Sequence, residues 1–272
     1  MNGLVLRLRS APAFRLDLSP LTPERLAGQS AEAVARLELA YGRRKVPVGE
    51  WFEVRGAAGP RLLIEGDCTR VDRIGAGLSD GEIRVEGSVG AYLGIGMRGG
   101  RIEVSGNTDA YTACGLAGGV VKVAGDAGDY LGGALPGEHR GMRGGAVIVG
   151  GRLGDRAGDH MRRGLILAEG ECGQYCGSRM QGGTIATLGR CGARPGYAMR
   201  RGTLLFAGPA PAPGPTFNDG GELSLGFLVL LARAWKDLPS RFASLSRSSV
   251  RVQRWVGDLA FGGEGELIHW PG

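Results

Sequence analysis

Short alternations of apolar and polar residues recur through the middle of the chain, each bracketed by glycine. The segments "EIRVE", "RIEVS", "VVKVA", "AVIVG", "LILAE", "TIATL" and "TLLFA" lie between glycines at 81 and 87, 100 and 106, 119 and 125, 145 and 151, 164 and 170, 183 and 189, and 202 and 208. Their second and fourth positions are mostly apolar, as in Ile83 and Val85, Ile102 and Val104, or Val147 and Val149. A period of two marks a half-buried strand. The leading glycines step by 19, 19, 26, 19, 19 and 19 residues, and an earlier turn fits with Pro60 in the glycine place before "RLLIE". The long step holds a seven-residue insertion: "YLG" at 92–94 runs almost directly into "GMRGG", whereas "YLG" at 130–132 reaches it only after "GALPGEHR", 133–140.

A second column is as regular. Leu78, Met97, Leu116, Met142, Met161, Met180 and Met199 each stand three residues before a leading glycine, so one long apolar side chain per unit faces a common interior. A 19-residue unit of short strands and glycine corners, with no helix, predicts a parallel β-solenoid. Each unit makes one coil, stacked about 4.8 Å from the next, and glycine supplies corners that a Cβ resists. Parallel crossovers favour the right hand. The expected fold is therefore mainly β: a right-handed parallel β-helix of about seven to eight coils with helical N- and C-terminal flanking segments.

Residues 22–38 read as helical, with Thr22 ahead of Pro23 and Ser30 as N-caps. "PAPAPGP" at 209–215 is a stiff connector, and "GFLVLLARAWKDL" after it reads as an apolar helix. The expected division is 1–59 as a strand/helix cap, 60–208 as the β-helix with its insertion at 133–140, and 209–272 as a linker plus a C-terminal helical segment. Such caps cover the unpaired edges and open core of a solenoid end.

Composition sharpens this picture. Glycine makes up 52 of 272 residues, far above the usual share of about 7%. The net charge of +6 makes acidic partners plausible, but basic residues are not interleaved with aromatics, and no nucleic-acid module is visible. Arg7 and Arg9 interrupt the N-terminus too early for a secretory signal, and no apolar stretch approaches the length of a membrane span. Five cysteines, an odd count, fit a reduced cytoplasmic protein.

Gly94, Gly96 and Gly99 have the GxGxxG spacing of a phosphate-cradling loop, but no helix pattern follows, so the match reports corner geometry. "CGQYC" at 172–176 looks like half a metal motif. In the repeat register, however, Cys68, Cys172 and Cys191 share a column with Val89, Thr108, Ala127 and Leu153, which places them in the core, and suitably spaced histidines are lacking. His139, His160 and His269 are scattered and read as surface or interface residues. No HExxH occurs.

The arginines form the clearest chemical pattern. Arg98, Arg143, Arg162 and Arg200 each follow the Met column by one residue, and Arg163 and Arg201 by two. Arg143 and Arg162 would then stack on adjacent coils. Like charges stacked in this way repel, and an anionic ligand or acidic partner would relieve them. The alternative is that they splay into water or pair with acids such as Glu169 and Glu171. The insertion is either a partner-contact loop or a tolerated surface excursion.

The repeat wording, with "GDAGDYLG", "GMRGG" before an alternating strand, "MRRGT" and the closing "GDLAFGGEGEL", resembles the C subunit of formylmethanofuran dehydrogenase and of the bacterial formyltransferase/hydrolase complex of methylotrophs. The coils are also similar to the GXGXG domain of the glutamate synthase large subunit, a right-handed parallel β-helix. "ALPGEHRGMRGG" and the flanks, including "LDLSPLTPERLAG", narrow the resemblance to the C subunit. It implies a non-catalytic scaffold in one-carbon metabolism. A formyl group would pass from formyl-tetrahydromethanopterin to methanofuran or an analogue and be hydrolysed to formate. Transfer and hydrolysis would lie in a formyltransferase subunit and an amidohydrolase-like subunit, with a further dehydrogenase-like subunit, and metals would sit only in those partners. Two alternatives stay open: the C subunit of a tungsten or molybdenum dehydrogenase, and a glutamate-synthase-like scaffold. Methanofuran-type cofactors carry glutamate tails, so the resemblance makes Arg98, Arg143, Arg162, Arg163, Arg200 and Arg201 candidate contacts to a tail or to acidic partner surfaces.

Overall fold

The computed structural model describes residues 3–245 and 250–270. The N-terminal flank carries β1 (Leu4–Leu8), β2 (Leu16–Asp17), α1 (Pro23–Leu26), α2 (Ala31–Ala35), β3 (Glu38–Tyr41), β4 (Arg44–Pro47), α3 (Val48–Trp51) and β5 (Phe52–Gly56). The repeats carry β6 (Arg61–Glu65), β7 (Val71–Asp72), β8 (Glu82–Glu86), β9 (Arg101–Val104), β10 (Val120–Val123), β11 (Arg143–Val149), β12 (Arg163–Ala168), β13 (Gln181–Thr187) and β14 (Arg201–Phe206). Beyond them lie β15 (Asn218–Ser224), α4 (Phe227–Trp235), β16 (Arg251–Gly257) and β17 (Gly265–His269), with short 3₁₀ turns at Arg241–Ser244 and Leu259–Phe261.

The protein is mainly β, dominated by one large, mostly parallel sheet in which the long repeat strands from β6 to β14 follow one another as neighbours. Pairing is in repeat register: Ile83 lies opposite Ile102, Ile102 opposite Val121, and Val121 opposite Val147. A second parallel ladder joins Cys68, Val89, Thr108, Ala127, Leu153, Cys172 and Cys191 in sequence. This is the column that the spacing placed in the core. Between the ladders, Leu78, Met97, Leu116, Met142, Met161, Met180 and Met199 are fully buried.

The leading glycine of each unit has a specific task. Gly100 and Gly119 have φ of +72° and +84°, and a Cβ on either would lie 2.6 Å from the carbonyl oxygen of the equivalent glycine one unit earlier. Backbones can approach this closely only without a side chain.

Burial changes along the sheet, and the apolar pattern changes with it. Strands β8 to β10 alternate buried and partly exposed positions, whereas β11 to β14 each end in three buried residues. Ile148, Leu167, Ala186 and Leu205 turn away from the main core into a second one. There they join Leu228 and Trp235 of α4, Phe242, Val252 and Trp270. Strands covered on both faces need continuous apolar runs.

The C-terminal flank departs from the helical expectation, while the N-terminal flank mixes strands with short helices. Thr22 precedes α1 with Pro23 in its first turn, and Ser30 caps α2 by accepting from the Ala33 amide at 3.2 Å. The apolar helix after the connector is α4. Yet both flanks also carry strands that extend the sheet. β1 pairs with β6, and β17 pairs in parallel with β14. β16 and β15 follow β17 in antiparallel order. Terminal repeat strands present unpaired donors and acceptors, which another strand satisfies and a helix cannot.

Candidate functional site

The six arginines of the repeat columns are all exposed. Among the described residues, Arg201 is the one with an ion pair, to Glu264 at 3.0 Å. Glu169 is engaged elsewhere, by Ser240 Oγ and the Arg241 amide. The expected stacking of Arg143 on Arg162 is corrected by one residue: Arg143 lies opposite Arg163, and Gln181 opposite Arg201. The amides of Arg162 and Arg163 both donate to the Met142 carbonyl, at 2.8 and 3.3 Å, so two residues share one partner and the register slips by one there.

The structure brings together residues that read as scattered. The insertion folds back over the next corner, with the Ala134 amide on the Asp159 carbonyl (3.0 Å) and the Gly141 amide on the His160 carbonyl (3.1 Å). This sets His139 edge-on to His160, ring centroids 5.5 Å apart. Beside them the Asp159 carboxylate, 3% exposed, accepts from Arg179 Nε at 2.9 Å, Arg179 Nη2 at 2.7 Å and Ser178 Oγ at 2.6 Å. The fork is bidentate and charge-assisted, the strongest ordinary form of such a contact. A cleft of about 310 Å³ opens here between His139, His160, Arg179, Gln181, Ala198, Arg200 and Phe261. His269 lies apart, its ring 3.1 Å from the Gly208 carbonyl oxygen.

Burial lowers the His160 pKa below 6.5, and the positive charges of Arg179 and Arg162 and the neighbouring His139 push the same way against Asp159. The folded chain thus takes up this proton less readily than the unfolded chain. Stability from this group rises with pH between the lowered value and 6.5 and falls on acidification through that window. Thermal melting from about pH 7.5 to about pH 5 should show a smaller fall for His160→Gln than for the parent. An equal fall would mean that other groups carry the acid sensitivity.

A further row escapes the alternation that locates the strands. Arg73, Tyr92, Tyr111, Tyr130, Arg156, Tyr175 and Arg194 occupy equivalent corners, all with φ between 56° and 62°. Tyr92, Tyr111 and Tyr130 stack at 5.2 and 5.1 Å, Arg73 covers Tyr92, and Arg156 lies 4.6 Å above Tyr175. Left-handed backbone costs a side-chain-bearing residue energy, and stacking along the row offsets it. Its signal is present in the chain: Tyr92, Tyr111 and Tyr130 repeat every 19 residues.

The cysteines behave as core. Cys68 and Cys114 are buried, and burial pushes the Cys68 thiol up to about 12. Cys176 is raised well above the ordinary thiol value by hydrogen bonds shared with Cys172 and Cys191 and by burial. Among the described residues, no group of three or more His, Cys, Asp or Glu has the geometry for a metal ion. The glycines of GxGxxG lead into β9 rather than a helix. No described helix is long and apolar enough to cross a membrane.

No family model matches the chain. Over 88 residues it is 44% identical to the C subunit of the formyltransferase/hydrolase complex of Methylorubrum extorquens, covering 32% of this chain and 33% of that protein. Over 98 residues it is 36% identical to the C subunit of the molybdenum-containing formylmethanofuran dehydrogenase 1 of Methanosarcina barkeri, covering 34% and 33%. The aligned stretches thus span about a third of the curated relatives. The whole fold is similar to a chain in the crystal structure of the M. extorquens formyltransferase/hydrolase complex with methylofuran. The TM-score is 0.92 and the identity 42%, covering 98% of this chain and 99% of that one.

Proposed function

Because this chain belongs to the C-subunit family of formyltransferase/hydrolase complexes and formylmethanofuran dehydrogenases, we propose that it is the scaffold subunit of a formyltransferase/hydrolase complex. In this reading it supports formyl transfer from formyl-tetrahydromethanopterin to a methanofuran-type cofactor and hydrolysis to formate. A formyltransferase, an amidohydrolase-like hydrolase and a dehydrogenase-like subunit perform or support the chemistry around it, in the cytoplasm. The observation that carries this reading is the end-to-end likeness to a chain of that complex. It favours the hydrolase complex over the dehydrogenase, whose relative is 36% identical against 44% for the C subunit of the hydrolase complex.

The 19-residue units are read as coils of a right-handed parallel β-helix spanning 60–208, with the flanking residues as caps. Two parallel ladders in one register, with the Met column between them, support that reading. The arginines are read as contacts to the acidic tail of the cofactor or to acidic partner surfaces. Five of the six have no ion pair among the described residues, which supports this.

Purification with native partners and mass spectrometry tests the assignment. The expected result is co-purification with formyltransferase and amidohydrolase-like subunits, and no formyl transfer or hydrolysis by this chain alone. Co-purification with a molybdenum or tungsten pterin subunit would move it to the dehydrogenase. Replacing Arg143 and Arg162 by Ala in the assembled complex should weaken cofactor affinity or assembly, most at low salt. If neither changes at low salt, the arginine reading is withdrawn.

A further inference from the structure

The cleft beneath the insertion has a chemistry of its own. Its charges are unevenly spent. Arg179 is committed to Asp159 through both arms of its fork, and Asp159 is saturated by that fork and Ser178. Arg201 and Glu264, at the neighbouring mouth of about 390 Å³, satisfy each other. Arg200 differs. Its backbone is held, with the amide on the Met180 carbonyl at 2.8 Å and its own carbonyl accepting from the Glu264 amide at 2.7 Å. Its guanidinium has no hydrogen bond or ion pair among the described residues. A fixed backbone with an unspent guanidinium leaves one positive charge lining the cleft.

The remaining lining comes from His139, His160, Gln181, Ala198 and Phe261. Gln181 contributes an amide, and the lowered pKa of His160 keeps its ring uncharged near neutrality. The His160 Nδ1 is buried without a partner. Ala198 and Phe261 form the apolar side, and Phe261 is half-exposed, braced edge-on by Tyr197 at 5.9 Å. An unpaired guanidinium and a half-exposed aromatic ring lining one cleft suit a ligand with a single anionic head and a flat apolar body. The two-oxygen head that fits a guanidinium fork is a carboxylate.

We propose that this cleft is a binding site for a small aromatic monocarboxylate, with Arg200 and Gln181 holding the carboxylate and Phe261 the ring. The site goes beyond the scaffold reading and does not depend on it.

Benzoate titrated into the full chain at low salt, followed by calorimetry or by proton–nitrogen NMR, is the test. The expected result is millimolar binding, with shifts at Gln181, Ala198 and Phe261. Arg200→Gln should weaken it about tenfold, and Phe261→Ala should weaken it severalfold. Arg152→Gln, an exposed arginine outside both the column and the cleft, should leave it unchanged. Benzyl alcohol, which keeps the ring and loses the charge, should not bind. Three outcomes overturn the proposal: no benzoate binding by folded parent chain, binding indifferent to Arg200→Gln, or inorganic phosphate binding as well as benzoate with no effect of Phe261→Ala. All three substituted residues are exposed, and circular dichroism checks that the variants fold.

Discussion

A Gly119→Val chain is expected to lose about 4 kcal/mol at its centre, from left-handed backbone strain and steric overlap of about 2 kcal/mol each. Gly119 has φ of +84°, and its added Cβ would lie 2.6 Å from both the Gly100 carbonyl oxygen and the Met97 methyl. The methyl can move; the carbonyl belongs to the neighbouring strand's backbone and cannot move without opening the ladder. Gly96→Ala is the control, because Gly96 also has a positive φ, +63°, but nothing lies within 4 Å of its Cβ. That variant should lose only the conformational part, about 1–2 kcal/mol. Hydrogen exchange read strand by strand is the suitable measurement, since repeat arrays open locally. Equal losses in the two variants would show that conformation alone, and not close approach, requires glycine in the leading position.

Arg179→Leu is expected to cost about 3 kcal/mol, at the low end for a broken buried pair because the arginine is partly exposed. The loss comes from what remains. Asp159, 3% exposed, would keep a buried charge with one hydroxyl donor, Ser178. Adding Asp159→Asn in the same chain removes that charge and should restore part of the stability, a coupling that a double-mutant cycle measures. A loss within about 0.5 kcal/mol would mean that the carboxylate finds water or takes a proton instead. The pair also positions the corner on which the insertion rests, so the double variant should retain the His139–His160 contact better than Arg179→Leu does.

Much of this is legible in the chain because the units repeat. A column such as Cys68, Val89, Thr108, Ala127, Leu153, Cys172 and Cys191 tests itself seven times, and the ladder joins these residues in that order. What is not legible lies where repetition fails or where a side chain's neighbours come from far along the chain. The Arg143–Arg163 register depends on two amides sharing the Met142 carbonyl, which residue counting cannot show. The His139–His160 contact depends on the path of the insertion, seen once in the chain. β17 reaches β14 from some sixty residues away and carries no repeat spacing, so the C-terminal segment reads as helix alone. The tyrosine row is equally periodic. It stays hidden because Tyr92, Tyr111 and Tyr130 lie outside the apolar alternation that marks the strands.

The change from alternating to continuously apolar strands has a bearing on how such a chain can vary in length. Strands β8 and β9 are covered on one face only, Val120 of β10 begins to pack against the second core, and each strand meets its neighbours through the same register of backbone bonds. Strands β11 to β14 are each tied to particular side chains of α4 and the residues around it through the second core. Removing or duplicating one 19-residue period in the first group would preserve the ladder register, change the number of tyrosines in the row, and shift Asp109 relative to Asp72, the two carboxylates that Arg15 bridges at 2.9 and 2.8 Å. The same edit in the second group would slide α4 out of register with Leu167 and Leu205. Lineages should therefore gain and lose units before the insertion and hold the count constant after it.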